Sequence, residues 1–445
     1  MPDTTQETLL DTQRISWYER ACAHISLERF KSLVMSLVNH HSPTGAEKSA
    51  SEFMVAQMNR MGFQARYQEL APTSGNAIGR RKGTGGGPSL MLYAPIDTHL
   101  ESNEALDVPW CGPELRLDMR PTAIAQDDIV IGLGASNPKG MVAALTEAAH
   151  AIVDAEIPLR GDLILAFAGG GMPMTVPQRE SWGLSSGVSR MLTRGVSPDF
   201  AVIMKPWDFV YYEHSGLMWF KVSVHGTMGY AGIPRGTPGF RSSIVPAARI
   251  VLELERWLEQ YPEQFSSPQV RPQGWISAIR AGWPERVAFP SATTEIYLDI
   301  RITPDQSCAS MTAHFDSVMR EILARNADIS ADWGVIAAIP GSRVSPDNWI
   351  VRSCLRAWEH THARSYPGSP AMAGQTDAAM ICQLGVPIAR IGYPDCPPEL
   401  VPEALRAGLG GMGVVHVPNM LLPIRTAVYA IIDTCARTRA EVGCS

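Results

Sequence analysis

The sequence predicts an α/β fold with a second domain inserted in the chain. Short apolar strands alternate with helical segments over about the first 215 residues, which is typical of an open sheet covered by helices. The pattern changes at about Gly216, where alternating strands and amphipathic helices follow in the order β-α-β-β-α-β. The first pattern returns after Pro340. We therefore predict a split α/β domain, 1–215 and 341–445, with an α+β sandwich inserted at 216–340.

Composition narrows the class of protein. The chain has 445 residues, 45% of them hydrophobic, which is enough for two cores, and a formal net charge of −6, which provides no basic surface for nucleic acid. No apolar run reaches the roughly 20 residues that span a bilayer, and the N-terminus lacks the basic start and apolar core of a secretory signal. The eight cysteines are scattered without a CxxC pair. We expect a soluble cytoplasmic protein with no nucleic-acid or membrane partner.

The first domain contains four apolar segments that end in polar or small residues. Two helices flank SPTGAE, and the glycine-rich GTGGG from Gly83, which lacks the Gly-Lys-Ser/Thr ending of a phosphate loop, is predicted to be a hairpin loop. The segments end at Asp97, Asn137, Gly169–Gly171 and Lys205. Ligands of open α/β sheets bind at the carboxyl ends of strands, so we expect these ends to meet in one cleft.

Seven motifs then follow one another along the chain: LMLYAPIDT, GASNPKGMVAALTEAA, LILAFAGGGM, FAVIMKP, VSVHGTMGYAGIP, AGQTDAAM and GMGVVHVPN. In this order they resemble the two-metal amidohydrolases and peptidases that include aminoacylase, carboxypeptidase G, acetylornithine deacetylase and succinyl-diaminopimelate desuccinylase. The resemblance extends from about Phe30 to the end of the chain. It implies a mixed-sheet phosphorylase/hydrolase-like catalytic domain, an inserted lid or dimerisation domain, a homodimer through that lid, and a small-molecule substrate.

The same resemblance implies two Zn²⁺-type ions and a Glu that acts as base on metal-bound water. At the corresponding positions this chain has Pro95 for the first His ligand, Asn137 for the bridging Asp, Gly170–Met172 for the Glu pair and Lys205 for the Glu before Pro. Of the five ligand positions only the late His, His416, remains. One His does not hold a zinc ion, so we predict no metal cofactor.

A rebuilt site is the alternative. Asp97, which orients the first His in the resembled family, and His99 alternate along an extended segment, so both side chains can face the cleft. With His416 they would form a site for one divalent metal such as Zn²⁺. The other interpretations of His99 are an ordinary loop residue and a substrate-binding residue.

Lys205 is the most informative replacement. A lysine in place of a carboxylate ligand repels a nearby divalent cation. It would instead act as the local cation, pairing with Asp97 or holding a substrate carboxylate, or as a base or amine nucleophile with a shifted pKa. A third interpretation is a lysine that extends to solvent.

Other positions that match the family motifs are candidates for substrate contacts. Tyr230 replaces the lid His and is either a hydrogen-bond donor to a carbonyl or a packed aromatic residue. Arg241 lies where the family often binds a substrate carboxylate, although it would also suit a solvated loop. Thr376 and Asp377 are retained, and Asp377 is expected to cap the following helix or support its loop. Asn137 is the last of these candidates.

Three functions remain open. The first is an enzyme that acts on a C–N bond of a small carboxylate-bearing substrate without a metal, with Lys205, Asp97, Tyr230 and His416 as catalytic residues. The second is a metal-dependent amidohydrolase with a rebuilt site. The third is a non-catalytic relative that binds a ligand, in which Gly169–Gly171 forms a flexible turn or leaves room for a bulkier molecule.

Overall fold

The computed structural model describes residues 10–179, 181–406 and 412–444. The chain divides into two compact units. The first consists of Met1–Tyr212, Val344–Ser369 and Met380–Ser445, and the second of Glu213–Arg343 and Pro370–Ala379. Residues 370–379 therefore group with the second unit, whereas the sequence interpretation assigned all of 341–445 to the first.

The α-helices of the described residues are α1 (Thr12–Ala23), α2 (Leu27–Asn39), α3 (Lys48–Arg60), α4 (Glu104–Cys111), α5 (Lys139–Asp154), α6 (Ser186–Thr193), α7 (Ile244–Gln264), α8 (Cys308–Arg325), α9 (Trp349–His362), α10 (Ala378–Gln383) and α11 (Leu421–Cys435). The strands are β1 (Gln64–Ala71), β2 (Ser74–Arg81), β3 (Leu90–Pro95), β4 (Ile124–Gln126), β5 (Ile129–Ile131), β6 (Leu163–Ala168), β7 (Thr175–Val176), β8 (Ser181–Trp182), β9 (Phe200–Pro206), β10 (Glu213–His214), β11 (Gly216–His225), β12 (Gln273–Ala281), β13 (Thr293–Ile302), β14 (Ser330–Ile339), β15 (Ser342–Arg343), β16 (Ile388–Tyr393) and β17 (Val414–His416).

A six-stranded mixed sheet forms the centre of the first unit, in the order β1-β2-β6-β3-β9-β16. Strands β6, β3, β9 and β16 are parallel, and β1 and β2 join antiparallel at one side. Every residue of β3, β6 and β16 is buried, because helices cover the sheet on both faces. These strands are therefore continuous apolar runs in the sequence rather than alternating ones.

The glycine-rich segment from Gly83 is not a hairpin loop, and that prediction was wrong. Strand β6 lies between β2 and β3, so the strands on either side of the segment do not pair with each other. The segment instead packs on the turn before β6, where the amides of Thr84 and Gly85 donate to the carbonyls of Leu159 and Arg160, both at 2.9 Å. A local turn signal does not show that a distant strand is inserted between its neighbours.

The second unit is a two-layer α+β sandwich. Its antiparallel sheet has the order β12-β13-β11-β14, and helices α7 and α8 complete the β-α-β-β-α-β order that the sequence predicts. Strand β13 alternates strictly between buried and less buried residues, as expected for a sheet with one covered face. Phe220 of the sheet stacks on Phe315 of α8 with ring centroids 4.2 Å apart, and Trp257 of α7 packs beside them.

Two further properties concern the surroundings of the protein. None of the helices in the described part of the chain combines the length and apolar character that crossing a membrane requires. All eight cysteines are free thiols. The cytoplasmic location stays a prediction.

Candidate functional site

The carboxyl ends of the parallel strands bring several candidate residues to one edge of the central sheet. Pro95, the last residue of β3, pairs with Ala168 at the end of β6. Lys205 pairs with Gly392 across β9 and β16. Because β3 and β9 are parallel neighbours, the backbone places Pro95 and Lys205 at the same edge, and Asp97 follows two residues after Pro95.

A residue of β16, Arg390, stabilises the turn that follows Lys205. Arg390 is buried, and its Nη2 donates to the carbonyl oxygen of Pro206 at 2.6 Å. Its guanidinium lies 5.6 Å from the ring of Trp207 and 4.7 Å from that of Tyr211, and burial lowers the pKa of Arg390 to about 10. Trp207 has φ +70°, and a Cβ at position 392 would lie 1.5 Å from its carbonyl oxygen, so Gly392 is required there.

Asp97 is a buried carboxylate that organises the loop after β6. Its Oδ1 accepts the amide of Gly171 at 3.0 Å, and its Oδ2 accepts the amide of Met172 at 3.0 Å. Oδ2 also accepts the hydroxyl of Thr44 at 2.8 Å. Charge-assisted bonds of this kind are stronger than neutral ones, so Asp97 fixes the backbone where the resembled family carries its two glutamates.

The other two amides of this loop are held in the same way. The amide of Gly169 donates to Asn76 Oδ1 at 3.1 Å, and that of Gly170 donates to Glu47 Oε1 at 3.0 Å. Glu47 Oε1 also accepts the amide of Gly45 at 2.7 Å. Glu47 is buried, and burial raises the pKa of its carboxyl group. Four consecutive amides, from 169 to 172, therefore each donate to a side-chain oxygen.

The loop is also tightly packed. A Cβ at position 169 would lie 2.9 Å from Glu47 Cδ, and one at position 170 would lie 2.3 Å from Ser186 Oγ. Gly170 has φ +62°, which other residues adopt at a cost. The expectation of a flexible turn, or of room for a bulkier molecule at this run, was therefore wrong at these two glycines, because neighbouring side chains already fill the space.

Asn137 lies on the neighbouring loop, before α5. Its amide and that of Ser136 donate to the carbonyl of Met412, at 3.2 and 3.0 Å. The Ser136 hydroxyl lies 3.0 Å from the hydroxyl of Tyr393, at the end of β16. Asn137 Oδ1 is buried and has no hydrogen-bond partner among the described residues. Backbone hydrogen bonds therefore hold the loop in place, while the side-chain oxygen of Asn137 forms no hydrogen bond with the described residues.

His416 lies on the segment that is hydrogen-bonded to the Asn137 loop. It is the last residue of β17 and pairs with Ile129 of β5. Its ring Nδ1 is buried and accepts or donates no hydrogen bond within the described part of the chain. The segment that carries His416 begins at Met412, whose carbonyl holds the Asn137 loop. Two unsatisfied polar atoms therefore lie on segments that are bonded to each other.

His99 lines a cavity of about 180 Å³ that Asp97 does not line. Its ring centroid is 6.3 Å from that of Trp110, and burial lowers its pKa. Nearby, Glu101 forms a two-point ion pair with Arg179, one bond of which measures 2.8 Å, and Arg179 also donates to the carbonyl of Thr44 at 3.0 Å. Sequence reasoning did not single out Arg179.

Lys139, the lysine of the segment GASNPKGMVAALTEAA, is fully buried at the start of α5. Its Nζ donates to the carbonyl oxygen of His40 at 3.0 Å. Burial lowers the pKa of Lys139 to about 7. Sequence reasoning also missed Glu47 and Asn76; the only available signal for Glu47 was a single acid in the break between two predicted helices.

A metal centre is not supported by the residues present. Across 10–179, 181–406 and 412–444, no three His, Cys, Asp or Glu side chains form a group that would hold a metal ion. Asp97, His99 and His416 are therefore not gathered into the mononuclear site of the alternative interpretation. Both oxygens of Asp97 already accept backbone amides, and the neutral amide of Asn137 stands where the resembled family has its bridging carboxylate.

The remaining candidates belong to the second unit. Tyr230 is about half exposed, and its ring lies 5.9 Å from that of Phe289. Arg241 closes the same loop, since its amide donates to Thr227 Oγ1 at 2.8 Å and its carbonyl accepts the Thr227 amide at 2.7 Å. Tyr230 and Arg241 therefore lie on one loop.

Thr376 and Asp377 lie on a separate segment of the second unit, just before α10. Both residues are buried. Thr376 Oγ1 accepts the amide of Ala378, the first residue of α10, at 3.3 Å. The substrate-binding roles of both residues stay predictions.

Comparison with known proteins agrees with this architecture. No family model matches the chain. A curated protein of Bacillus subtilis, named N-formyl-4-amino-5-aminomethyl-2-methylpyrimidine deformylase, is 27% identical over 310 residues, 66% of this chain and 68% of that protein. Human carnosine dipeptidase 1 aligns with a TM-score of 0.68 at 13% identity, covering 96% of this chain and 99% of its own.

Two further solved structures give the same result. The dipeptidase Dug1p of Saccharomyces cerevisiae aligns with a TM-score of 0.69 at 11% identity over 96% of this chain and 99% of its own. The Bacillus subtilis YXEP protein, described as a dinuclear metal-binding peptidase of the M20 family, has a TM-score of 0.60 at 12% identity, over 93% and 99%. At these identities the likeness shows the fold. The predicted fold class, a mixed-sheet catalytic-type domain with an inserted second domain, is confirmed.

Proposed function

We propose that this chain, which has the fold of the M20 peptidases and amidohydrolases, hydrolyses a C–N bond of a small carboxylate-bearing molecule. In this reaction water adds to the carbonyl carbon, the C–N bond breaks, and the amine leaves with a proton while the acid is released. The fold and the relative that is named a deformylase both support an amide or formamide as the group that is cleaved. Amides of amino compounds are therefore the first substrates to test.

The proposed mechanism does not use a metal. The observation that carries it is Lys205, a cation at the carboxyl edge of the central sheet, at the position where the resembled family has a carboxylate ligand. An ammonium group there repels a divalent cation and attracts a carboxylate or a developing oxyanion. The absence of a metal-binding group among the described residues supports the same proposal.

Each remaining candidate has a role in this proposal. Asp97 acts by holding the 169–172 loop, since its oxygens already accept two amides. His416, with a buried ring nitrogen that lacks a partner in the described residues, transfers the proton between water and the leaving amine. The buried amide oxygen of Asn137 accepts a hydrogen bond from the substrate.

Tyr230 and Arg241 keep the roles that the family resemblance implies for them. Tyr230 donates a hydrogen bond to the substrate carbonyl, and Arg241 binds the substrate carboxylate. Their place on one loop supports a joint role. Thr376, Asp377 and His99 complete the proposed substrate contacts.

The test compares Lys205→Ala with Lys221→Ala, a lysine of the second unit that pairs with Glu295. Both variants and the wild type are assayed for amine release from N-formyl and N-acyl amino acids, with and without a chelator. We expect Lys205→Ala to lose at least about a hundredfold in kcat/KM while the protein remains folded, which is the usual effect of removing one charge-stabilising group. Lys221→Ala should keep full activity.

Two outcomes would overturn parts of this proposal. Full activity in Lys205→Ala rules out a role for that lysine. Activity that a chelator removes and Zn²⁺ restores would select the metal-dependent alternative. Less than about 0.1 metal ion per chain, with activity unaffected by the chelator, would rule that alternative out, because a catalytic metal is present in near-stoichiometric amounts.

We also propose a homodimer formed through the second unit. Strands β12 and β14 are the edges of its sheet, and both carry exposed large apolar side chains, such as Trp275, Ile279 and Ile336. Exposed apolar edge strands are typical docking surfaces. Light scattering on the purified chain should give twice the chain mass, and Ile279→Lys should shift it to the monomer. A monomeric wild type at micromolar concentration would contradict the proposal.

A further inference from the structure

A small cavity in the first unit enters the proposed chemistry so far only through His99. Its volume is about 180 Å³, and it is lined by the segment that follows Asp97, by the segment that precedes Asn137 and by residues 412–413. Six of its lining residues are His99, Trp110, Arg116, Asp118, Met119 and Leu133. Two lining residues are close in sequence to the candidate site. His99 is two residues after Asp97, and Gly134 is three residues before Asn137.

The volume matches a single ring. An apolar cavity of about 150 Å³ in a protein binds benzene, whereas drug-sized ligands need roughly 300 Å³ or more. A cavity of about 180 Å³ therefore has room for one six-membered ring and a small substituent. Larger substrates would have to leave most of their atoms outside it.

The walls suit a flat ring. The imidazole of His99 and the indole of Trp110 meet at 64° with centroids 6.3 Å apart, which is an edge-to-face arrangement. Met119 and Leu133 add apolar surface. Trp110 is 57% exposed, so its indole is a large apolar surface still in contact with water. A planar ring that entered the cavity would cover part of it and gain aromatic contacts.

Polar groups at the cavity suit a ring with a hydrogen-bonding edge. The imidazole of His99 lines the cavity, and its two ring nitrogens can donate or accept hydrogen bonds. Arg116 Nε and Nη2 donate to the two oxygens of Asp118, at 3.0 and 2.8 Å. Each carboxylate oxygen has more than one lone pair, so Asp118 can accept a further hydrogen bond. A purely apolar ring would form no hydrogen bond with Asp118 or His99.

We propose that this cavity is a subsite for one planar six-membered ring with a hydrogen-bonding edge, such as an amino-substituted aromatic or nitrogen-heteroaromatic ring. The inference rests on the proposed function in one respect only: the ring belongs to the molecule whose C–N bond is cleaved. The ring would occupy the cavity, and the cleaved group would extend from it toward the edge of the sheet that carries Asp97 and Asn137.

Binding is measured first, without turnover. The full chain is titrated with 4-aminopyrimidine, and with cyclohexanol as an uncharged non-aromatic probe of similar size, by ligand-observed NMR. Trp110→Ala is compared with Leu106→Ala, which removes an exposed apolar side chain from the same helix but does not line the cavity. We expect Trp110→Ala to weaken binding of 4-aminopyrimidine about tenfold and Leu106→Ala to leave it unchanged. Cyclohexanol should bind at least about tenfold more weakly than 4-aminopyrimidine.

Equal affinity of wild type and Trp110→Ala for 4-aminopyrimidine, or no binding to the folded wild type, overturns the subsite. A His99→Phe variant gives a second measurement that keeps the ring shape and removes the nitrogens. It should bind benzene at least as well as the wild type does and 4-aminopyrimidine more weakly. The same loss for both probes would contradict the proposed hydrogen bonds.

Turnover then separates this proposal from the function proposed above. N-formyl-3-(4-pyridyl)alanine and N-formyl-3-cyclohexylalanine both carry a carboxylate and a six-membered ring, and only the first ring is planar with a hydrogen-bonding edge. Turnover of both at the same rate, without binding of 4-aminopyrimidine, would overturn the subsite and leave the hydrolase proposal in place. Probe binding that depends on Trp110, without turnover of any amide, would support the subsite and count against the hydrolase.

Discussion

Two loops at the carboxyl edge of the central sheet differ in how their polar groups are satisfied. In the loop after β6, the four amides of residues 169–172 each donate to a side-chain oxygen of Asn76, Glu47 or Asp97. In the neighbouring loop and the segment bonded to it, Asn137 Oδ1 and His416 Nδ1 are buried and have no partner in the described residues.

Whether a buried polar group already has a hydrogen-bond partner indicates whether it supports the fold or is available to bind a ligand. Buried polar atoms in native proteins are nearly always hydrogen-bonded, so a saturated loop is part of the scaffold. Buried polar atoms without partners are costly, and a ligand or water that satisfies them repays part of that cost. The first loop therefore supports the site, and the second is where we expect the substrate to bind.

Removing the Asp97 carboxylate should have the largest effect on stability. Asp97→Ala leaves the amides of Gly171 and Met172 without their acceptor and leaves the hydroxyl of Thr44 only the carbonyl oxygen of Thr98 at 3.3 Å, which should lower the free energy of unfolding by about 3 kcal/mol. Urea denaturation measures this loss. A change below about 1 kcal/mol would show that the loop does not depend on this carboxylate.

A side chain at Gly170 should have an almost equally large effect. Gly170→Ala forces a residue with a Cβ to adopt φ +62° and places that atom 2.3 Å from Ser186 Oγ, so we expect a loss of about 3 kcal/mol. Gly195 is the matched control, since it has φ +94° but nothing within 4 Å of a Cβ. Gly195→Ala should cost only about 1 kcal/mol. Equal losses of stability for Gly170→Ala and Gly195→Ala in thermal or urea unfolding would mean that the loop moves to make room for the Cβ at position 170.

Glu47 should make the stability of this loop dependent on pH. Burial raises its folded-state pKa above the usual value, so the native state binds the proton more tightly than the unfolded chain does. Stability is then lost as pH rises from the unfolded-state pKa through the folded-state pKa. Glu47→Gln keeps an oxygen for the two amides but does not ionise. Its stability relative to the wild type should increase with pH over this range, and parallel curves would contradict the prediction.

Asn137 should give the smallest change in stability. Its side-chain oxygen has no partner to lose among the described residues, so Asn137→Ala should alter the free energy of unfolding by less than about 1 kcal/mol. The same variant should reduce turnover of the substrate found in the Lys205 assay. A loss of several kcal/mol without an effect on turnover would reverse the assignment of the two loops.

Much of the fold could be predicted from local pattern. Strands β3, β6 and β9 are short apolar runs, because both faces of the central sheet are covered, and β13 alternates because one face of its sheet is covered. The hairpin predicted at Gly83 was wrong for a related reason: adjacency in sequence does not show that β6, about 80 residues later, lies between β2 and β3.

The residues of the candidate site likewise divide into those that local sequence predicts and those that depend on distant segments. The replacements of family ligands at Pro95, Asn137 and Lys205 were visible in the sequence, because the motifs around them are contiguous. The support of the glycine loop was not, because Glu47, Asn76 and Asp97 are separated from the amides they bind by 123, 93 and 74 or 75 residues. No local pattern predicts such partners.

By itself, the sequence determined which chemical groups stand at the ends of the central strands, and that a lysine replaces an expected carboxylate there. Strand ends and motif residues are local properties, and periodicity reports them directly. Only the tertiary structure decided which of these groups are already satisfied. Hydrogen bonds between distant segments saturate Asp97 and the glycine loop and leave Asn137 and His416 with unpaired atoms among the described residues, because satisfaction depends on which segments the fold brings together.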